Sequence, residues 1–136
     1  MIRGINHITL SIHDLPTSFD FYTRVLGARP IAKWNTGAYL VLGDVWLALV
    51  RDEKTRAAPS PDYSHIAFTV SSADFVRVCD RIKNSGATIW QENWTEGDSL
   101  YFLDPNGHKL EIHVGDLQSR LTSAKEKPWA GLEFFE

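Results

Sequence analysis

Residues 5–12 alternate apolar Ile8, Leu10 and Ile12 with polar His7, Thr9 and Ser11, the period-two pattern of a strand with one buried face. Asp14 then offers a helix cap, and Pro16 sits early in the first turn, where a missing N–H does no harm. Phe19, Tyr22, Val25 and Leu26 recur at helical spacing, and Gly27 supplies a stop. Strand-like stretches near 29–34, 37–42 and 45–51 follow, the last two joined by a tight turn at Gly43-Asp44. After a polar, proline-bearing connector the same order returns. Tyr63 to Val70 echoes the first strand, with His65-Ile66-Ala67-Phe68 set against His7-Ile8-Thr9-Leu10. Ser71 or Ser72 caps a helix carrying Phe75, Val78, Cys79 and Ile82, which Gly86 ends. Short strands near 87–91 and 99–103, the turn Asp104-Pro105-Asn106-Gly107 and a strand over 108–114 close the second copy. Residues 116–126 read as a final helix. The tail Pro128–Phe135 is so aromatic that it is expected to cover another surface, such as that of a partner subunit.

The pattern defines an α+β chain: a first βαβββ module over 1–51, a connector over 52–61, a second module over 62–115, and a C-terminal helix and tail over 116–136. A unit this small cannot cover both faces of its own sheet. Two copies are therefore expected to pair their sheets and leave a concave trough lined by alternate strand residues, the candidate site.

Composition narrows the class. The 136 residues fit one compact domain or two tightly joined halves. With 43% hydrophobic and 23% charged residues the mixture is that of an ordinary globular protein, and no apolar run reaches the roughly 18 residues needed to span a bilayer. A formal charge of −3 without any block of lysine or arginine leaves no footprint for a nucleic-acid backbone. The first strand begins almost at once, leaving no room for a secretory signal, and the single Cys79 cannot form an internal disulfide. Both point to the cytoplasm.

His7 and His65 hold the same place in the two copies. Either alone reads as an ordinary polar strand residue; together, internal symmetry would bring them across the trough. Alignment of the last strands on Gly43 and Gly107 sets Leu47 against Glu111. Glu111 stands between Leu110 and Ile112 and should point away from both, into the trough, where a lone carboxylate is costly unless a divalent cation compensates it. Two imidazoles and one carboxylate suit Mn²⁺, Fe²⁺, Ni²⁺ or Zn²⁺ and leave positions open for water or substrate. Leu47 in the fourth place argues against a closed structural site. His113 shares the face of Glu111 but lies about 6.7 Å further along the strand, and is expected behind the ligands or at the surface. His108 beside a turn and His13 at a helix entrance are expected to face solvent, and Cys79 the core.

Several stretches carry a family resemblance: Gly4–Leu10, Trp34–Leu40, Gly43–Leu47, Asp62–His65, Asn93–Ser99 and Tyr101–Glu111. They resemble the vicinal oxygen chelate (glyoxalase/bleomycin-resistance) superfamily. Within it, nearly the whole chain is similar to the fosfomycin-resistance thiol transferases, their glutathione-using, FosA-type branch in particular. The resemblance implies a homodimer with modules exchanged between chains, so that His7 of one subunit joins His65 and Glu111 of the other around Mn²⁺, with activation by K⁺. It implies a K⁺ loop of Asn93, Thr95, Glu96, Gly97 and Ser99, and a phosphonate pocket of Thr9, Trp46, Thr95, Ser99, Tyr101 and Arg120. Tyr39 would lie near the thiol, and Thr9, Tyr39 and Arg120 would act in catalysis. The implied reaction opens the epoxide of fosfomycin with glutathione, no protein thiol being needed.

Apart from the resemblance, Thr9 and Tyr101 are good strand formers, Trp46 an ordinary core residue, Arg120 a solvated helix residue and 93–99 a polar loop. Gln91 and Trp94 stand where relatives usually carry basic side chains, which bears on the cosubstrate. Other readings keep the metal but change the reaction: glyoxalase, epimerase or extradiol dioxygenase, the first two commonly using a fourth ligand where Leu47 stands. Nearer variants are fosfomycin hydrolysis and use of another thiol such as bacillithiol. A metal-free drug-binding protein is the reading from a different class.

Overall fold

The structure, a computed structural model, describes residues 1–135. Each half forms the elements its pattern requires. The first comprises β1 (His7–Ile12), α1 (Leu15–Asp20), β2 (Arg29–Trp34), β3 (Gly37–Leu42) and β4 (Val45–Arg51). The second comprises β5 (Ile66–Thr69), α2 (Ser72–Asn84), β6 (Ile89–Gln91), β7 (Ser99–Leu103) and β8 (Lys109–His113), and α3 (Leu117–Glu126) follows. Both sheets have four strands in equivalent order, β1-β4-β3-β2 and β5-β8-β7-β6. In each, the first strand lies parallel to the last and the other pairs are antiparallel. Consequently β1 and β5, which carry or adjoin the two repeated histidines, are edge strands.

The first two caps fall where the sequence indicates. The Asp14 carboxylate accepts from the Thr17 hydroxyl and, at 3.0 Å, from the Thr17 N–H, which holds its carboxyl below the usual range. Ser71 caps α2 by accepting from the Asp74 N–H, and Asp116 and Ser119 cap α3 reciprocally. One departure concerns the first helix, which is not α-helical throughout. After Asp20 it widens into a π-helical turn, Phe21–Val25, where the Leu26 N–H reaches back to the Phe21 carbonyl at 3.2 Å. Both Phe21 and Tyr22 are buried there, a demand that side-chain spacing alone does not reveal.

The apolar backs of the two sheets meet in one core. Leu10, Ile12, Leu40, Leu47 and Leu49 from the first join Phe102, Leu110 and Ile112 from the second, with Tyr22, Cys79 and Ile82 from the helical segments. This corrects the expected trough within one chain: the halves share a core on their helix-covered sides, and the other face of each sheet lies outside that core. In the single chain Trp129, Phe134 and Phe135 of the aromatic tail are exposed.

A buried polar joint locks the halves together. Tyr22 donates its hydroxyl proton to Asp104 Oδ2 at 2.6 Å, and the N–H groups of Asn106 and His108 donate to Asp104 Oδ1 at 2.8 and 2.9 Å. Asn106 donates to Ser18 Oγ and accepts from the His13 N–H. His108, expected in solvent, is only 7% exposed. Its Nε2 lies 2.7 Å from the Ser11 carbonyl, an acceptor from the other half that satisfies the buried ring. His13 does remain exposed, near the Arg56 carbonyl.

Burial first, and the neighbouring Asp104 second, push the Tyr22 phenol well above its usual range. The unfolded chain sheds this proton at about pH 10 while the fold retains it, so stability contributed by the neutral phenol is present below about pH 10 and falls as pH rises beyond it. Denaturation midpoints should therefore drop more steeply between about pH 9 and pH 11 in the wild type than in Tyr22→Phe. Parallel slopes would contradict this.

Candidate metal centre

On β8 the strand alternation sends Leu110 and Ile112 into the core and Glu111 to the open face. Its residue is nevertheless only 6% exposed. Ser99 donates to Oε2 at 2.6 Å, and His65 Nε2 stands 3.0 Å from Oε1. The ion pairs found for Glu111 among the described residues involve only imidazoles, His65 and His113.

His65 itself is held at its other nitrogen, since Nδ1 lies 2.8 Å from the Tyr63 carbonyl. A carbonyl only accepts, so Nδ1 carries a proton and, in a neutral ring, Nε2 presents a lone pair. With a second proton on Nε2 the ring donates to Oε1 and the two form an ion pair at 3.0 Å; with a lone pair there, two electron-rich atoms face each other. In either state an imidazole nitrogen and a carboxylate oxygen converge on a position for positive charge, and both atoms are donors that a divalent cation accepts. Tyr63, Trp90 and Tyr101 surround the ring edge-on, with centroids 4.9, 5.4 and 5.9 Å away.

The open face of the first sheet carries the remaining candidates. His7 has its Nδ1 2.7 Å from Asn6 Oδ1, again leaving Nε2 outward, and its ring lies 4.5 Å from Trp46. Trp46 meets Tyr39 at 5.3 Å, and Tyr39 meets Trp34 at 4.8 Å. All three aromatics are exposed, so Trp46 is not a core residue. Thr9 lies on this face opposite Ala48.

Strand register corrects one equivalence. Ile8 pairs with Leu47 as Ile66 pairs with Leu110, and Tyr39 pairs with Ala48 as Tyr101 pairs with Glu111. Ala48, not Leu47, therefore matches Glu111, and Leu47 is buried in the core. Alignment on glycines failed because the turns differ: Gly43 opens a two-residue turn between Leu42 and Val45, whereas Gly107 comes late in the longer turn between Leu103 and Lys109. The fourth position is still apolar and offers no ligand.

The structure gathers the candidates into two groups. His65, Glu111, Ser99 and Tyr101 belong to one open face; His7, Thr9, Tyr39 and Trp46 belong to the other. Among the described residues of one chain, no three His, Cys, Asp or Glu side chains are placed to hold a metal ion. The loop 93–99 folds on itself: Asn93 donates to the Gly97 carbonyl at 2.7 Å and accepts from the Thr95 N–H and hydroxyl. Arg120 reaches this loop from α3, donating through Nε to Glu96 Oε2 at 3.0 Å. Gln91 donates to the Tyr63 hydroxyl at 3.0 Å, and Trp94 is 76% exposed. Sequence reasoning missed Tyr63 and Trp90, which orient His65. The Tyr63 contact is made by a backbone carbonyl and leaves no trace in residue type.

This duplicated fold, with its His and Glu donors on open sheet faces, has known counterparts. Residues 4–112 match the family described as the Glyoxalase/Bleomycin resistance protein/Dioxygenase superfamily, and the chain belongs to it. It is 48% identical over 136 residues to the glutathione transferase FosA of Serratia marcescens, covering 98% of this chain and 96% of that one. It is 40% identical over 130 residues to the metallothiol transferase FosB of Staphylococcus haemolyticus, covering 93% and 94%. The structure superposes on the fosfomycin-resistance protein FosX of Mesorhizobium loti with a TM-score of 0.77 at 34% identity, covering 89% of this chain and 99% of that one. A variant of FosX from Listeria monocytogenes, bound to Mn(II) and a dihydroxypropylphosphonic acid, superposes with a TM-score of 0.80 at 29% identity, covering 90% and 98%. Within the superfamily the chain is a member of the fosfomycin-resistance enzymes.

Proposed function

We propose that the protein inactivates fosfomycin by adding glutathione to its epoxide, at a Mn²⁺ site formed by His7 of one subunit with His65 and Glu111 of another. The observation carrying this reading is the His65–Glu111 contact, in which an imidazole nitrogen and a carboxylate oxygen, both donors to divalent metals, converge at 3.0 Å. Exchange of modules between two chains is supported by the separation of the donors within one chain. It is supported too by the position of β1 and β5 at sheet edges, where another chain can approach.

When bound, the divalent ion supplies Lewis acidity at the C–O bond to be broken. The chain's own residues do the rest. Arg120, Tyr101 and Thr95 bind the phosphonate and offset a charge that would repel a thiolate, beside Ser99, whose own proton goes to Glu111. Trp46 closes one side of the pocket, Thr9 offers a hydroxyl to the developing alkoxide, and Tyr39 orients the thiol. The oxygens of Asn93, Thr95, Glu96, Gly97 and Ser99 form a hard donor set suited to K⁺. A glutathione-dependent reaction belongs in the cytoplasm, where that thiol is kept reduced.

Gln91 and Trp94 favour weighing a second thiol, because neither supplies positive charge to the carboxylates of glutathione. The experiment incubates purified protein with Mn²⁺, K⁺ and fosfomycin, offering glutathione, bacillithiol, cysteine or water alone, and identifies products by mass spectrometry. A glutathione adduct formed faster than the others is expected. A bacillithiol adduct or a diol as main product would reassign the cosubstrate, and no product at saturation would retire the reading.

A further inference from the structure

We propose that His113 is a positioning residue, which holds Glu111 in its metal-binding orientation through the Ser99 hydroxyl and ties that orientation to the loop 93–99. The inference rests on the reading of Glu111 as a metal ligand.

His113 Nδ1 lies 2.6 Å from Ser99 Oγ, and Ser99 donates its single proton to Glu111 Oε2, also at 2.6 Å. A hydroxyl has one proton to give, and a carboxylate can only accept. Ser99 must therefore accept from His113, so Nδ1 carries the hydrogen. The relay His113–Ser99–Glu111 has one direction. It fixes the hydroxyl rotor, occupies Oε2 and leaves Oε1 facing His65. Direct contact of His113 with the carboxylate is longer, 3.5 Å, so the hydroxyl is the effective link.

The ring is closely bordered by two glycines, both with positive φ. A Cβ at Gly97 would stand 2.9 Å from His113 Cε1 and 2.6 Å from the Val114 carbonyl oxygen. A Cβ at Gly115 would stand 3.2 Å from His113 Nε2 and 2.8 Å from Ser119 Oγ. Two glycines from separate segments thus leave space for one imidazole. The same segments are joined by the Val114 N–H to Asp98 carbonyl bond at 2.9 Å and by the Arg120–Glu96 pair. His113 therefore sits where the loop, the α3 entrance and the carboxylate meet, and a shift of the loop is transmitted to Glu111. Outer partners of this kind set the orientation and basicity of a ligating carboxylate.

Mn²⁺ uptake by the full-length protein, followed through the free-ion EPR signal, tests the role without fosfomycin. His113→Leu should bind Mn²⁺ about 10- to 100-fold more weakly than the wild type. His113→Asn, whose amide N–H can stand in for Nδ1, should recover most of the loss, whereas His113→Gln, which presents its amide further out, should not. Wild-type uptake with equal affinity in His113→Leu overturns this inference alone. Failure of the wild type to take up Mn²⁺ overturns both the inference and the reading of Glu111. Nitrogen-15 NMR of the metal-free wild type needs no variant to fold: a proton on Nδ1 of His113 is expected, and a neutral ring protonated at Nε2 instead would overturn the relay.

Discussion

Replacement of Glu111 by alanine is expected to abolish tight Mn²⁺ uptake and lower fosfomycin conjugation by about three orders of magnitude or more. Lewis-acid stabilisation contributes several kcal/mol at the transition state, and about 4 kcal/mol corresponds to roughly a thousandfold in rate. The fold should survive the change. Leu110 and Ile112, not Glu111, supply the apolar contacts of β8. Without metal, Glu111→Ala should be about as stable as the wild type, and added Mn²⁺ should raise the unfolding temperature of the wild type alone. Calorimetry with and without Mn²⁺, alongside a conjugation assay, checks both parts; near-normal turnover in the variant would remove Glu111 from the reaction.

The second large effect lies far from the metal, at Asp104. One carboxylate there accepts from the Tyr22 hydroxyl and from two backbone N–H groups, and its residue is buried. Alanine would strand three donors away from water. Bonds to a charged acceptor are worth about 1.5–3 kcal/mol each, with losses not additive, so a net destabilisation of about 3–5 kcal/mol is expected. Urea unfolding should show the midpoint fall with the slope little altered. Tyr22→Phe, which removes one of the three bonds, should lose less. A change below about 1 kcal/mol in Asp104→Ala would mean that the joint does not hold the halves together.

Much of this architecture was legible because the chain is written twice. Alternation at Ile8, Leu10 and Ile12 and its echo near Ile66 and Phe68 marked both first strands, Asp14 and the Ser71-Ser72 pair marked the starts of two helices, and the third was read from Asp116 onward. Glu111 could be assigned to the open face from its two apolar neighbours. Properties that depend on turns and on distant partners were less accessible. Glycine position misled the comparison of β4 with β8 because it is set by turn type, whereas ladder register equates Ala48 with Glu111. His108 looked exposed because its partner, the Ser11 carbonyl, lies 97 residues away in sequence. The single trough was expected from symmetry alone; the shared core on the helix side shows that the repeat buries its backs first. Aromatic residues on the open faces gave no warning of this, since an exposed and a buried strand aromatic look alike in a sequence.

Cys79 has a consequence for a protein proposed to work through an external thiol. It lies in the core, and burial pushes its thiol above the usual range, against a smaller opposing influence of Lys83. The thiolate is the form that attacks disulfides and electrophiles. The protein therefore offers scarcely any nucleophilic sulfur of its own to the epoxide it is proposed to open, or to the oxidised glutathione that accumulates when a cell is under oxidative stress. Its activity should outlast conditions under which enzymes with exposed cysteines are capped as mixed disulfides.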